Sequence, residues 1–516
     1  MRTFSRRLLA ATAAVLLVPT ASGIAQTDSP GVVLENRDIA ETAVPRATCG
    51  GDALPEPGLQ GDVPAAERDS HASMHGYRCN ITRIGGYAGR GAGITSTQFE
   101  HCVYLGSFFP GNLLGPAQGV QVVNVADPAH PVLTATLTEP AMLAGTWESL
   151  KVNAARKLLV GTGVPAFTGA GLISVYDISD CAHPRLLNPG PGTDLRLPVP
   201  ITAHEGGFSP DGRTYWASGV IPGIVSAVDL TDPGNPRVIW QGMPGQSMHG
   251  MGLSADGNRV YLANNMGGLT ILDTSAVQRR DPDPQVPIIS QLTWTDGWAT
   301  QQNVPVTYHG VPYLFSADEA GSGGVKLIDI SDDTHPRVVN TIKLEINLPK
   351  HRDSAMASSM GGSLFAYDAH YCSADRLVNP TALACGWISS GIRVFDVRDP
   401  FHVREIAYYN PPARTGQNTE LWNSPHALAS IIGVPLLSAP SVMQAIQSGA
   451  FDPQQAQSSR TGDVAFGDLS TDWCFSAPEW RGNQLWAACA DNGLLTLELS
   501  PQVYTPPADQ HSTVGS

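Results

Sequence analysis

The sequence predicts an all-β fold, a seven-bladed β-propeller built from four-stranded antiparallel blades. Three observations carry that prediction. A single phrase recurs: "GGVKLIDISDDTHPR" at Gly323–Arg337 is echoed at Gly171 ("GLISVYDISDCAHPR"), Gly223 ("GIVSAVDLTDPGNPR") and Ser390 ("SGIRVFDVRDPFHVR"). A recurrence of this kind marks a structural repeat. Before most copies stands a strand, a Gly-containing turn and a second strand. "HEGGFSPDGRTYWASG" and "HGMGLSADGNRVYLANN" show the pattern best, with Asp211-Gly212 and Asp256-Gly257 as hairpin-turn dipeptides. The composition agrees: 53 Gly and 41 Pro against only 15% charged residues favour short strands and tight turns over long helices.

The blades follow in order from the polar residue that ends each repeated strand. These anchors are Asn124, Asp177, Asp229, Asp273, Asp329, Asp396 and Glu498, seven in all. With the hairpin before each anchor and a strand after the following proline, each unit holds strands A to D, one propeller blade. The last copy, ending at Leu499, lacks a strand D, because "PQVYTPPADQ" is a poor strand. The N-terminal "YRCNITRIGGYAG" is a strand without A, B or C before it. Cys79–Tyr87 is therefore expected to lie beside Leu494–Leu499 and close the last blade, removing an exposed edge. The resulting organisation is a signal peptide at 1–25, a largely irregular extension at 26–75, the propeller at 76–500 and a disordered tail at 501–516. Residues 411–470 form a long insertion before blade 7, expected on the top face as a lid or binding element.

These phrases, each with its preceding "H-x-x-x-x-S-x-D-G" hairpin, resemble the LVIVD-repeat family of exported β-propeller proteins. The resemblance spans about residues 76–500 as a repeat pattern. It implies the fold and export and leaves activity open. The Asp residues of the "DISDxxHP" segments read as solvated caps of C–D turns rather than metal ligands.

Compartment and partners are bounded by charge and cysteine. Arg2, Arg6 and Arg7 precede an apolar run from Leu8 to about Ala21, which is too short to span a membrane and reads as an export signal of ordinary secretory or twin-arginine type. Cleavage near Ala25 removes three arginines and no acids, taking the net charge from -15 to -18. Such acidity without a basic patch argues against nucleic acid. After cleavage no transmembrane anchor remains, so the expected location is periplasmic or extracellular and the expected partner a small molecule or an envelope protein. Eight cysteines without a C-x-x-C pair favour disulfides over a zinc knuckle. Cys474 and Cys489 flank a hairpin centred on Arg481-Gly482, and Cys372 with Cys385 closes a loop read as the B–C connection of blade 6. Cys49, Cys79, Cys102 and Cys181 allow three pairings.

Function is expected on the top face, where D–A and B–C loops emerge. His204, His249 and His351 each stand where a strand A is expected to open, in blades 3, 4 and 6. His426 lies in the insertion. Imidazoles from several blades converging on one axis suit iron or copper, so these four are the candidate metal ligands. Trp147-Glu148 and Gln301-Gln302 occupy the matching positions of blades 2 and 5. Glu205 and Asp353, close to these histidines, are candidate general bases or partners that orient a ring. Phe108, Phe109, Phe167 and Trp147 are candidate apolar ligand contacts, with His370, read at the end of strand B in blade 6, facing the same way. Two readings follow. One is an exported propeller binding an apolar or amphipathic ligand or a protein partner. The alternative is a metal-dependent oxidase, lyase or hydrolase. The G-x-S-x-G, H-E-x-x-H and G-x-x-x-x-G-K motifs are absent.

Overall fold

The computed structural model describes residues 32–108, 119–163, 171–188, 204–220, 223–354, 366–414, 420–427 and 471–508. The signal segment, most of the insertion and the end of the tail lie outside these residues, as do Phe109 and Phe167.

Seven antiparallel sheets follow one another along the chain. Alternating buried side chains and Gly-turned hairpins make each one. In blade 3 the order is Glu205–Phe208, Thr214–Ser218, Val225–Asp229 and Arg237–Gly242. Its A–B turn works as the dipeptide requires: Gly212 sits at φ 66°, and the Ser209 hydroxyl donates to Asp211 at 2.6 Å. All seven anchors fall on strand C, from Asn124 in Val120–Asn124 to Glu498 in Gly493–Leu499. Strand D carries a bulge against strand C in blades 1, 3, 4, 5, 6 and 7. A bulge strengthens local twist, which suits the outermost strand of a propeller blade. The C–D turns bear exposed Asp–His pairs, such as His335 to Asp332 at 3.2 Å and His402 to Asp399 at 2.8 Å, and the aspartates accept from backbone N–H groups two residues on. They are turn caps.

The ring closes as expected, through Ile81–Tyr87 pairing with Gly493–Leu499 in the register Ile81↔Leu499 to Tyr87↔Leu494. Cys79 does not belong to that strand. It ends a separate strand, Tyr77–Cys79, which adds to the outer edge of blade 6 against Arg404–Asn410. Asn80, at φ 57°, makes the corner between the two. Upstream, Val32–Asn36 runs parallel to Ile288–Trp294 as a fifth strand of blade 4. The chain then crosses the rims of blades 5 and 6: Val44 donates to the Lys343 carbonyl at 2.9 Å and Glu405 to the Pro45 carbonyl at 3.0 Å. Buried Arg393 bridges Glu56 of this strap and Glu405 of blade 6.

Four disulfides form: Cys49–Cys79, Cys102–Cys181, Cys372–Cys385 and Cys474–Cys489. One placement needs correction. Cys372 opens strand A of blade 6 and Cys385 faces it from strand B, Ala382–Gly386, so this staple joins the A–B hairpin and not a B–C loop.

Candidate functional site

Strands A line the channel, and side chains at their upper ends meet on the axis. Glu148 precedes strand A of blade 2, Lys151–Asn153. His204 and Glu205 open blade 3, His249 lies in Met248–Leu253 of blade 4, and Gln301 lies in Trp298–Tyr308 of blade 5. Glu319 comes from the end of strand B in blade 5, Val311–Ala320. His370 and Tyr371 immediately precede strand A of blade 6.

Backbone contacts fix these positions. Glu148 donates its N–H to the His204 carbonyl at 3.2 Å, stitching blade 2 to blade 3. His204 donates to the Ser218 carbonyl at 2.8 Å, extending the A–B ladder by one rung. His370 donates its N–H to the Gly386 carbonyl at 2.9 Å, and its Nδ1 lies 3.0 Å from the Phe475 carbonyl. A carbonyl only accepts, so Nδ1 carries a proton and Nε2 faces the axis. Gly250 is glycine because a Cβ there would stand 1.8 Å from Glu205 Oε2 and 1.9 Å from the Gln301 carbonyl oxygen.

Glu148 is the hub. Its Oε2 lies 3.0 Å from His204 Nε2 and 3.3 Å from His249 Nδ1, and its Oε1 lies 3.4 Å from His370 Nε2. Glu319 Oε1 is 3.5 Å from the same His370 nitrogen, and Glu205 Oε2 is 3.8 Å from His249 Nδ1. Below, the Tyr371 hydroxyl donates to Glu205 Oε2, and Lys151 Nζ lies 3.6 Å from Glu205 Oε1. All these groups except His204 and Lys151 are buried. Yet Glu148 Oε2, Glu205 Oε1, His249 Nδ1, Gln301 Oε1 and His370 Nε2 make no hydrogen bond. Such orphans are costly in a core and rare in native proteins.

The electrostatics match. Burial opposes ionisation of Glu148, but the His249 and His204 imidazoles outweigh it and hold the carboxyl well below its usual range. Burial lowers the His249 and His370 pKa values and the carboxylates raise them. Glu148 prevails at His249, and contacts with Glu148 and Glu319 push His370 up to about 9.

An aromatic wall flanks the centre. The Trp147 ring stands 5.2 Å from both Phe108 and His204, and Phe475 stands 4.9 Å from His370. Trp147 is half-buried at φ 45°. Phe108 is buried among Ile94, Ile388, Trp473 and Phe475. It forms part of the wall's packing and not an exposed rim.

The structure therefore brings together His204, His249, His370, Glu205 and Trp147 from the expected set, and adds Glu148, Glu319 and Gln301. His351 and Asp353 are not among them. Strand A of blade 6 starts at Cys372, so His351 sits in a short helical turn, Pro349–His351, within the D–A connection, and Asp353 is exposed just beyond. His370 consequently opens strand A and does not end strand B. His426 is buried in a second cluster, with Nδ1 3.0 Å from Asp491. Ser424 and the Arg414 N–H also bond Asp491, while Asp472 accepts from the N–H groups of Trp473, Asp491 and Asn492. Those carboxylates are committed to donors, and His426 fastens the root of the insertion to blade 7. His101 approaches Cys102 and Cys181, whose sulfurs are joined as a disulfide. Glu319 carries no sequence cue beyond an acidic pair ending a strand, "SADEAG".

A ring of seven four-stranded blades with polar groups gathered at one mouth of its channel is a β-propeller. It carries an LVIVD repeat: the model of that repeat family matches residues 249–277, from His249 through strand C of blade 4. No curated protein matches the chain in sequence. Among solved structures it is similar to a Lactobacillus plantarum protein at 13% identity, covering 61% of this chain and 82% of that one with a TM-score of 0.43. It is similar to the periplasmic gluconolactonase of Pseudomonas aeruginosa at 13% identity, 58% and 80% coverage and a TM-score of 0.41. A putative 6-phosphogluconolactonase from Bacteroides fragilis gives 9% identity, 61% and 82% coverage and a TM-score of 0.43. Four disulfides point to an oxidising compartment outside the cytoplasm. Among the described residues no helix is long and apolar enough to cross a membrane.

Proposed function

We propose that this chain is an exported enzyme, periplasmic or extracellular, acting on a small apolar or amphipathic molecule at the top of its channel by hydrolase, lyase or oxidase chemistry. One observation carries the reading. Ionisable side chains from five blades converge at the buried mouth of the channel, ion-paired with one another, while Glu148 Oε2, Glu205 Oε1, His249 Nδ1 and His370 Nε2 make no hydrogen bond. Carboxylates and imidazoles massed in this way are the groups that general acid–base chemistry uses. Glu205, held from below by Tyr371 and Lys151, is the general base, and Trp147 offers the apolar contact. Recession of these groups below the rim suits a small molecule better than an envelope protein.

The test is turnover of a panel of amphipathic esters, amides and phenols by the full chain and by its Glu205→Gln and Glu148→Gln variants. One class should be turned over, and both variants should lose at least about 10²-fold, in the range of general acid–base catalysis, with circular dichroism unchanged. Ligand binding without turnover would leave a binding module. Variants that keep full turnover, or lose stability in its place, would sink the reading.

A further inference from the structure

We infer that the centre is built for one divalent first-row transition ion, bound by His204, His249 and the Glu148 carboxylate, with His370 beside them. The inference rests on the proposed function for its location but not for its chemistry.

Three independent features point to an ion. The first is spacing. Two ligands bonded to one ion at about 2.0–2.1 Å in tetrahedral geometry lie about 3.3 Å apart. The ligand atoms of Glu148, His204 and His249 all lie within 4.8 Å of one another, with Glu148 Oε2 3.0 and 3.3 Å from the two imidazole nitrogens. The second is the absence of bonding at those separations. Glu148 Oε2, His249 Nδ1 and His370 Nε2 are buried and have no hydrogen-bond partner, although each has another group within 3.5 Å. A cation shared by these groups would satisfy the atoms left without one. The third is the surround. The Phe475 carbonyl keeps a proton on His370 Nδ1 and turns Nε2 toward the centre. Outer contacts of this kind orient metal-bound imidazoles.

The donor set sorts the ions. Imidazoles and a carboxylate suit iron, copper, zinc or manganese, and the absence of a thiolate disfavours soft monovalent copper. A divalent charge also relieves the crowding of Glu148, Glu205 and Glu319.

The experiment uses the full chain, chelated and then titrated with Co²⁺ and Zn²⁺ by visible absorption and calorimetry. One equivalent should bind, with a Co²⁺ spectrum of nitrogen–oxygen ligation. His249→Ala, His370→Gln and Glu148→Gln should each weaken binding at least about 10-fold to 100-fold. His351→Ala and His426→Ala should bind as the parent does. His370→Gln and Glu148→Gln preserve side-chain shape, so a misfolded His249→Ala leaves the test intact. No stoichiometric uptake, or equal losses in His351→Ala and His370→Gln, would overturn the ion. Turnover surviving in fully chelated protein would do the same while leaving the small-molecule site standing.

Discussion

Glu479 shows how a single side chain ties the channel to pH. It sits in strand A of blade 7, buried, with Gln98 donating to its Oε2 at 3.1 Å. Burial raises its pKa to about 7 against the weaker pull of Arg481. A carboxyl whose folded value exceeds its unfolded one contributes stability that is fully present below pH 4.5 and lost as pH climbs through 7. The loss is on the order of 3 kcal/mol at 1.36 kcal/mol per pKa unit. Denaturant melts of Glu479→Gln should lack this slope between about pH 5 and 8 and exceed the parent in stability at pH 8. A parallel slope in both proteins would show that Glu479 is ionised throughout. The site residues differ in how far sequence reveals them. His204 and His249 were legible because each lies one step from an unmistakable "S-x-D-G" hairpin. His351 imitates that placement without a strand to follow. His370 was misassigned because the blade 6 hairpin "CSADRLVNPTALAC" has no Gly turn to register it. Glu148 and Glu319 meet the histidines only across blades, which linear spacing cannot show.

At the scale of single elements, the disulfides Cys372–Cys385 and Cys474–Cys489 were readable from their short separations of 13 and 15 residues, each around one turn of chain. Cys49–Cys79 was not, since its partners are a loop of the strap and a strand on the edge of blade 6, joined by 30 residues of irregular chain. Closing that loop limits the unfolded state, worth about 3–4 kcal/mol by chain entropy. The strap has other holds: Leu54 and Arg78 exchange two backbone hydrogen bonds, and Arg46 pairs with Glu345 at 2.6 Å. The double variant Cys49→Ser with Cys79→Ser should therefore fold as the parent does but with a lower thermal midpoint. Proteolysis should enter first between residues 37 and 64, where the chain holds no strand. Initial cleavage inside a blade would show that the disulfide secures the ring and not the strap.

For the molecule as a whole, the number of blades was legible because a period of roughly one blade survives every insertion, and ring closure was legible because an unmatched strand stood at each end. The strap was not, since its only strand, Val32–Asn36, pairs in parallel with Ile288–Trp294 in the register Val32↔Ser290, far along the chain, and its sequence lacks the alternation of a half-buried strand. Two N-terminal segments thus do different work. Ile81–Tyr87 completes blade 7, and without it Gly493–Leu499 presents an open edge beside the gap in the ring. The strap covers rims that are already closed, though its Glu56 neutralises Arg393, which is fully buried. A chain starting at residue 76, with Cys79→Ser, should keep a closed ring and a monomeric elution volume. Its stability should fall by at least about 3–4 kcal/mol, the contribution of the lost Cys49–Cys79 link, while Arg393 loses Glu56 but keeps Glu405 as its partner. A chain starting at residue 88 should aggregate or fail to fold under the same conditions. If both truncations behave alike, closure of the ring depends on the strap as much as on the strand that completes blade 7.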